Sequence, residues 1–174
     1  MTQYFTLFVA IALVGCSSSD IKRDQEKKFT GKYITKAFNS SYQSWLNLKH
    51  KHHANYSYER DTISSTQFMS STKLTIENDQ VEYRDFFEWQ AGNTPKLSWS
   101  ESFSELNLHT QGASVKTLDQ LYQQCNNQIL TKPTAQHTVT LTVDRFNILK
   151  QCSYTVNNCS TSCTKGIRIQ GLSL

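Results

Sequence analysis

Residues 68–89 read Phe68-Met-Ser-Ser-Thr72-Lys-Leu74-Thr-Ile76-Glu-Asn78-Asp79-Gln-Val81-Glu-Tyr83-Arg-Asp85-Phe-Phe87-Glu-Trp89. Thr72, Leu74 and Ile76 alternate with their neighbours as one face of a half-buried strand does. A second two-residue period runs through Val81, Tyr83, Asp85, Phe87 and Trp89, placing all five on one face. Between the runs, Asn78-Asp79 supplies two residues that tolerate positive φ, which a tight hairpin turn needs. The stretch is predicted to be an antiparallel hairpin, and it sets the fold class.

Upstream, Tyr56 and Tyr58 share one face of a strand. Downstream, Ala91-Gly-Asn-Thr-Pro95 breaks the pattern, and a short strand is expected over Leu97–Phe103. Phe38, Tyr42, Trp45 and Leu46 recur at helical spacing, and that helix should end near the basic cluster Lys49-His50-Lys51-His52-His53, where cations suit a helix C-terminus. Thr117-Leu-Asp-Gln120 has the form of a capping box and opens a second helix with the stripe Leu118, Leu121, Tyr122, Cys125 and Ile129. Three more strands are read from Val139, Leu141 and Val143, from Cys152, Tyr154 and Val156, and from Ile167 and Ile169, with a turn at Asp144–Asn147. The expected fold is α+β: one antiparallel sheet of about five to six strands with two helices on one face, in the order α-β-β-β-α-β-β-β.

The chain opens with an apolar run from Tyr4 to Val14, too short for a bilayer core that needs about 20 helical residues but suited to a signal peptide. It ends in Leu13-Val14-Gly15-Cys16, which resembles the lipobox of bacterial lipoproteins. That resemblance implies cleavage before Cys16, lipidation of its sulfur and attachment to a membrane through about two or three acyl chains. The n-region departs from the usual pattern in having no Lys or Arg. Ser17, rather than Asp, follows the Cys, as in Gram-negative lipoproteins sorted to the outer membrane, so the protein is expected on the periplasmic face of that membrane. The expected organisation is a signal peptide over 1–15, the lipidated Cys16 with a polar tether to residue 28, and a single domain over 29–174. The tether is expected to be flexible, with a span of roughly 20 Å.

Cysteine parity agrees with this address. Five cysteines would leave a stray thiol in an oxidising compartment, but with Cys16 lipidated, Cys125, Cys152, Cys159 and Cys163 form two disulfides. The favoured pairing is Cys159–Cys163 closing a short loop and Cys125–Cys152 stapling a helix to the sheet. The rival pairing, Cys152–Cys163 with Cys125–Cys159, would link adjacent strands. The spacing matches no common zinc pattern.

Trp45 with Tyr56-Ser-Tyr58, Thr117-Leu-Asp-Gln-Leu-Tyr122, a strand ending at Asp144 and the closing Gly166-Ile-Arg-Ile169 resemble a bacterial domain-of-unknown-function family of small exported or lipid-anchored proteins. Where that family has a Gly-Tyr-Pro-like turn after the Asp, this chain has Arg145-Phe146-Asn147-Ile148. The resemblance implies the same fold class and carries no catalytic or binding residues.

The formal net charge of +4 is a mild, scattered excess, against the dense basic patch of a nucleic-acid binder. His50, His52 and His53 are a metal candidate, opposed by the divergence of three His within four residues on any regular element. Glu59, Asp61, Glu82, Asp85 and Glu88 are the strand carboxylates available to a hydrolase; Asp85 is expected beside Tyr83 and Phe87, with Arg60, Arg84 or a tyrosine hydroxyl as its partner. No Gly-x-Ser-x-Gly, Walker or His-Glu-x-x-His pattern occurs, so no catalytic residue and no cofactor is assigned. Nine Phe, eight Tyr and three Trp are more than a core of this size strictly needs, so Tyr56, Tyr58, Tyr83, Phe86 and Trp89 are the candidate binding surface, set against the favoured alternative that most of these rings pack under the two helices. The functional expectation is a non-catalytic binding or scaffolding module for an envelope protein or cell-wall component. The alternative is a periplasmic metal-binding protein or hydrolase.

Labelled palmitate should enter the wild-type protein and not Cys16→Ser, with the four other thiols oxidised in both. Equal incorporation in the two proteins would remove the anchor and the parity argument together.

Overall fold

The computed structural model describes residues 26–63, 68–90, 94–159 and 163–174. The expected signal segment, Cys16 and the tether up to residue 25 lie outside the described residues. Among the described residues, no helix is long and apolar enough to cross a membrane.

Among the described residues, nine strands and two α-helices follow one another as β1 (Lys27–Thr30), α1 (Ile34–Lys51), β2 (Tyr56–Ile63), β3 (Phe68–Glu77), β4 (Gln80–Gln90), β5 (Thr94–Ser102), α2 (Leu118–Gln124), β6 (His137–Val143), β7 (Leu149–Val156), β8 (Thr164–Arg168) and β9 (Gln170–Ser173). The fold is α+β and all its strand pairs are antiparallel. The strands divide between two sheets, in the order β1-β6-β7-β8 and β5-β4-β3-β2-β9, where the sequence pointed to one. The division turns on the C-terminus. Ile167 and Ile169 look like one apolar strand, yet β8 pairs with β7, Ile169 donates its N–H to Lys150 O at 2.8 Å, and β9 crosses to β2. Strand β1 is also new. It begins two residues inside the expected tether, pairing Phe29 with Leu141 across a strand otherwise made of Lys and Thr.

The hairpin forms as predicted, with Asn78 at φ 49° and Asp79 at φ 69°. One shift of face occurs within it. A bulge between Thr75 and Ile76 pairs Ile76 with Val81 but Thr75 with Tyr83, so Val81 turns inward while Tyr83 turns out.

Helix α1 buries Ala37, Phe38, Ser41 and Trp45, positions one helical face apart, and packs on β1, β6 and β7. Its last turn holds Lys49, His50 and Lys51, as the helix dipole favours. Lys49 Nζ bridges Asp79 at 2.7 Å and Asp119 at 3.0 Å, tying α1 to the hairpin turn and to α2. Burial opposes its charge, but the two carboxylates prevail and raise its pKa. The predicted capping box closes at α2: Gln120 N–H reaches Thr117 Oγ1 at 3.4 Å, and Thr117 N–H reaches Gln120 Oε1 at 2.9 Å. The helix then widens into a π turn over Cys125–Ile129 that meets β7 and β8. Both helices therefore cover one face of the four-stranded sheet.

The five-stranded sheet closes the helices from the other side. Trp45, fully buried, packs edge-on against Tyr56 with ring centres 4.8 Å apart, and Tyr58, Leu74, Ile76 and Val81 join the same core as Leu121, Leu141 and Cys152. Buried phenols then satisfy backbone groups at the seam. Tyr56 Oη accepts from Leu118 N at 2.9 Å, Tyr58 Oη donates to Lys116 O, and Tyr122 Oη accepts from Leu149 N at 2.9 Å. Burial pushes the pKa of all three phenols up.

The cysteines pair as Cys125–Cys152 and Cys159–Cys163, with Cα atoms 5.8 and 6.1 Å apart. The first staples the end of α2 to β7 within the core. It closes the longer loop, 27 residues against 4, so chain entropy gives it about 3.5 kcal/mol against about 2 for the second. Urea unfolding of Cys125→Ala/Cys152→Ala should therefore show a lower midpoint than Cys159→Ala/Cys163→Ala. Equal midpoints would overturn the structural ranking of the two bonds.

Candidate functional site

Strand β4 presents two different chemistries because it alternates between a covered and an open side. Arg84 and Phe86 point inward, and Tyr83, Asp85, Phe87 and Trp89 point outward. The inward side is closed by the segment between β5 and α2. Arg84 Nη1 meets Glu101 Oε2 on β5 at 3.0 Å, and the two side chains are 3% and 1% exposed. Arg84 also donates to the carbonyls of His109 and Gln111. Glu101 accepts from Asn107 N at 3.0 Å, His109 N at 2.6 Å and His109 Nδ1 at 3.1 Å.

Rings complete this clamp. Phe86 stacks on Trp99 with centres 5.1 Å apart, Trp99 stacks on His109 at 4.3 Å, and the Arg84 guanidinium lies 4.8 Å from the Trp99 ring. Gly112 sits at φ +82°, and a Cβ there would stand 2.9 Å from Thr72 Oγ1 and 3.0 Å from Phe86, so only glycine lets the segment descend this far. Ala113 N then bonds Thr72 Oγ1 at 2.9 Å. Burial resists charge on Glu101, but the N–H groups of His109 and Asn107, Arg84 and the His109 ring outweigh it and hold the carboxyl at about 2. With its oxygens committed to these donors, the pair fixes a loop rather than offering a base.

The outward side is open. Tyr83 and Phe87 are 48% and 47% exposed, and Met69 beside Trp89 is 39% exposed. The two rings lie four residues apart on one strand, about 13 Å. Between them, Asp85 accepts from Ser100 Oγ at 2.7 Å and stands across from the exposed Lys73. The arrangement is an open sheet face with two aromatic contacts and a polar centre.

Three members of the expected surface belong elsewhere. Tyr56, Tyr58 and Phe86 are buried, at 5%, 0% and 4% exposure, because their strand faces meet the helices and the covering loop. Tyr83 and the half-buried Trp89 remain on the open face. Phe87 takes the place of Phe86, as alternation from Tyr83 requires. The strand carboxylates do not converge. Glu59 accepts from Ser71, Glu88 faces Lys96 at 3.7 Å, and the partner of Asp85 is Ser100 rather than an arginine. His50 lies in the last turn of α1, His52 caps it and the backbone turns at His53, φ 52°, and no group of three His, Cys, Asp or Glu arranged for a metal occurs among the described residues. Glu101 escaped notice because it sits in the least regular of the sequence strands. The visible signal was the spacing of Leu97, Trp99 and Glu101, which puts the carboxylate on the face of Trp99.

No family model, curated protein or solved structure matches this chain.

Glu101 has its folded-state pKa below its ordinary 4.5, so the stabilisation it provides is present above about 4.5 and lost as pH falls towards 2. Glu101→Gln should cost about 3–5 kcal/mol at neutral pH, because Arg84 is left buried without its partner, and should flatten the loss of stability between pH 4.5 and 2. Identical urea midpoints for wild type and variant across that range would exclude this role.

Proposed function

We propose that this protein is a lipid-anchored, non-catalytic recognition module of the periplasmic face of the outer membrane, and that it docks an envelope component on the open face of its five-stranded sheet. The observation that carries the reading is the exposure of Tyr83 and Phe87 on one side of β4 while the other side is locked by Arg84 and Glu101. Aromatic rings half in solvent keep apolar area available for a partner, at little cost in side-chain entropy on binding. Because each ring is already about half covered, completing its desolvation contributes about 1 kcal/mol, enough for the two to count among the main contacts of a small interface. The clamp behind them keeps the sheet in one shape, so the platform needs little reorganisation to bind. The anchor reading rests on the Leu13-Val14-Gly15-Cys16 match and on the pairing of the other four cysteines with one another.

The test is a photo-crosslinker placed at Phe87 or, as control, at Lys51 on α1, in cells making the full chain. A discrete envelope adduct from Phe87 but not from Lys51, reduced about ten-fold by Tyr83→Ser, supports the reading. Co-sedimentation with purified sacculi separates a cell-wall polymer from a protein partner. If neither adduct nor sedimentation responds to Tyr83→Ser in a protein whose thermal midpoint is unchanged, the open face is not the docking surface.

A further inference from the structure

A second surface lies on a different layer. From Lys27 to Tyr58 the chain contains no acidic residue, yet it carries Lys27, Lys28, Lys32 and Lys36 around the junction of β1 and α1. Lys27, Lys28 and Lys36 line a groove of about 660 Å³ together with Phe29, Tyr33 and Asn147. No carboxylate lines it, and the first turn of α1 holds none either. Lys49, further along the same helix, is engaged by Asp79 and Asp119; among the described residues no ion pair holds Lys27, Lys28 or Lys36 in the groove, or Lys32 beside it.

One of the most exposed aromatic rings lines this basic groove. Tyr33 is 62% exposed, with Lys32 Nζ 5.1 Å from its ring centre. Phe146, 61% exposed, lies in a neighbouring groove with Asp144 and Arg145, on the same β6–β7 turn whose Asn147 reaches the basic one. That turn is fixed against α1, since Asn147 Nδ2 bonds Ser40 Oγ at 3.0 Å and Ser44 Oγ at 2.9 Å, and Asp144 Oδ1 accepts from Phe146 N and Ile148 N. Cations beside an exposed tyrosine match an anionic bilayer surface, where ammonium groups meet lipid phosphates and the ring enters the headgroup level.

We infer that the Lys27–Lys36 groove, with Tyr33 in its wall, is a docking face for an anionic phospholipid bilayer. Charge complementarity identifies the occupant, and chain length agrees. The ten residues from Ser17 to Glu26 span at most about 35 Å, so a lipid on Cys16 keeps this end of the domain beside the membrane. This last point rests on the anchor reading; the charge and the ring do not. The groove would add a second, salt-sensitive attachment that sets the orientation of the domain rather than its retention.

The experiment adds the purified full chain to preformed vesicles of phosphatidylcholine alone, or with about a third phosphatidylglycerol, and reads flotation and amine labelling by mass spectrometry. Labelling of Lys28, Lys32 and Lys36 should fall about five-fold on the phosphatidylglycerol vesicles relative to phosphatidylcholine, with Lys73 unchanged. The protection should vanish near 1 M salt, where screening acts within about 3 Å. Lys28→Glu/Lys32→Glu/Lys36→Glu should abolish it, and the corresponding Lys→Arg triple, read by hydrogen exchange over residues 27–36, should restore it. Equal protection on both vesicle types, or protection of Lys73 instead, overturns the proposal. If the lysines only guard the β1 edge, the Glu triple leaves lipid response unchanged, which also overturns it. Failure to float on phosphatidylcholine alone counts against the anchor, while flotation confined to phosphatidylglycerol still supports the groove.

Discussion

Two sheets that share no strand pairing are joined in this molecule by a layer of aromatic side chains centred on Trp45. That layer is the constraint on which the rest of the structure depends. Trp45 reaches from α1 to Tyr56 on the five-stranded sheet, while Tyr122 from α2 lies among Phe38 and Tyr42 on α1. Purely aliphatic residues would bury comparable area but leave backbone groups unpaired at the seam. The hydroxyls of Tyr56, Tyr58 and Tyr122 reach those groups at Leu118, Lys116 and Leu149. An unsatisfied buried donor or acceptor costs about 1–3 kcal/mol, so the choice of tyrosine over phenylalanine is a structural one. It also accounts for part of the aromatic excess in the composition.

How much of this was legible in the sequence depended on how local the determining interaction is. The hairpin at Asn78-Asp79, the capping box at Thr117 and the stripe from Leu118 to Ile129 are set by neighbours within a few residues, and each is found as read. Strand β1 escaped because its lysines look like tether, and only pairing with a strand more than a hundred residues away makes Phe29 part of the fold. The split into two sheets depends on Ile169, where the pattern stays apolar while the pairing partner changes from β7 to β2. Periodicity reports which side of a strand is covered, and it is silent about which sheet the strand joins.

The open face shows the same limit more sharply. Alternation places Tyr83, Asp85, Phe87 and Trp89 together, but it does not say whether that side or the side of Arg84 and Phe86 meets solvent. Composition does not decide it either. The buried side carries the rings Phe86 and Trp99 with an arginine and a glutamate, and the exposed side carries Tyr83 and Phe87 with Asp85 and Lys73. A buried ion pair is poor evidence for added stability. Here it satisfies donors and carbonyls of the segment between β5 and α2, so its effect is to specify one path for that segment over Thr72, Phe86 and Trp99.

The two proposed surfaces constrain each other through the layering. The lysine groove belongs to β1 and the start of α1, beside the four-stranded sheet, whereas Tyr83 and Phe87 project from the far side of the five-stranded one. A bilayer seated on the groove leaves the aromatic face clear of the membrane. Anchoring by lipid alone fixes distance and not orientation, so the platform would sample both the bilayer and the periplasm. A weak electrostatic contact at the groove would be sufficient to bias that distribution, because the proposed anchor would already remove the translational cost of reaching the surface. On the proposed reading the basic end and the aromatic face would serve one arrangement: the first would orient the domain, and the sheet clamped by Arg84 and Glu101 would carry that orientation to the second.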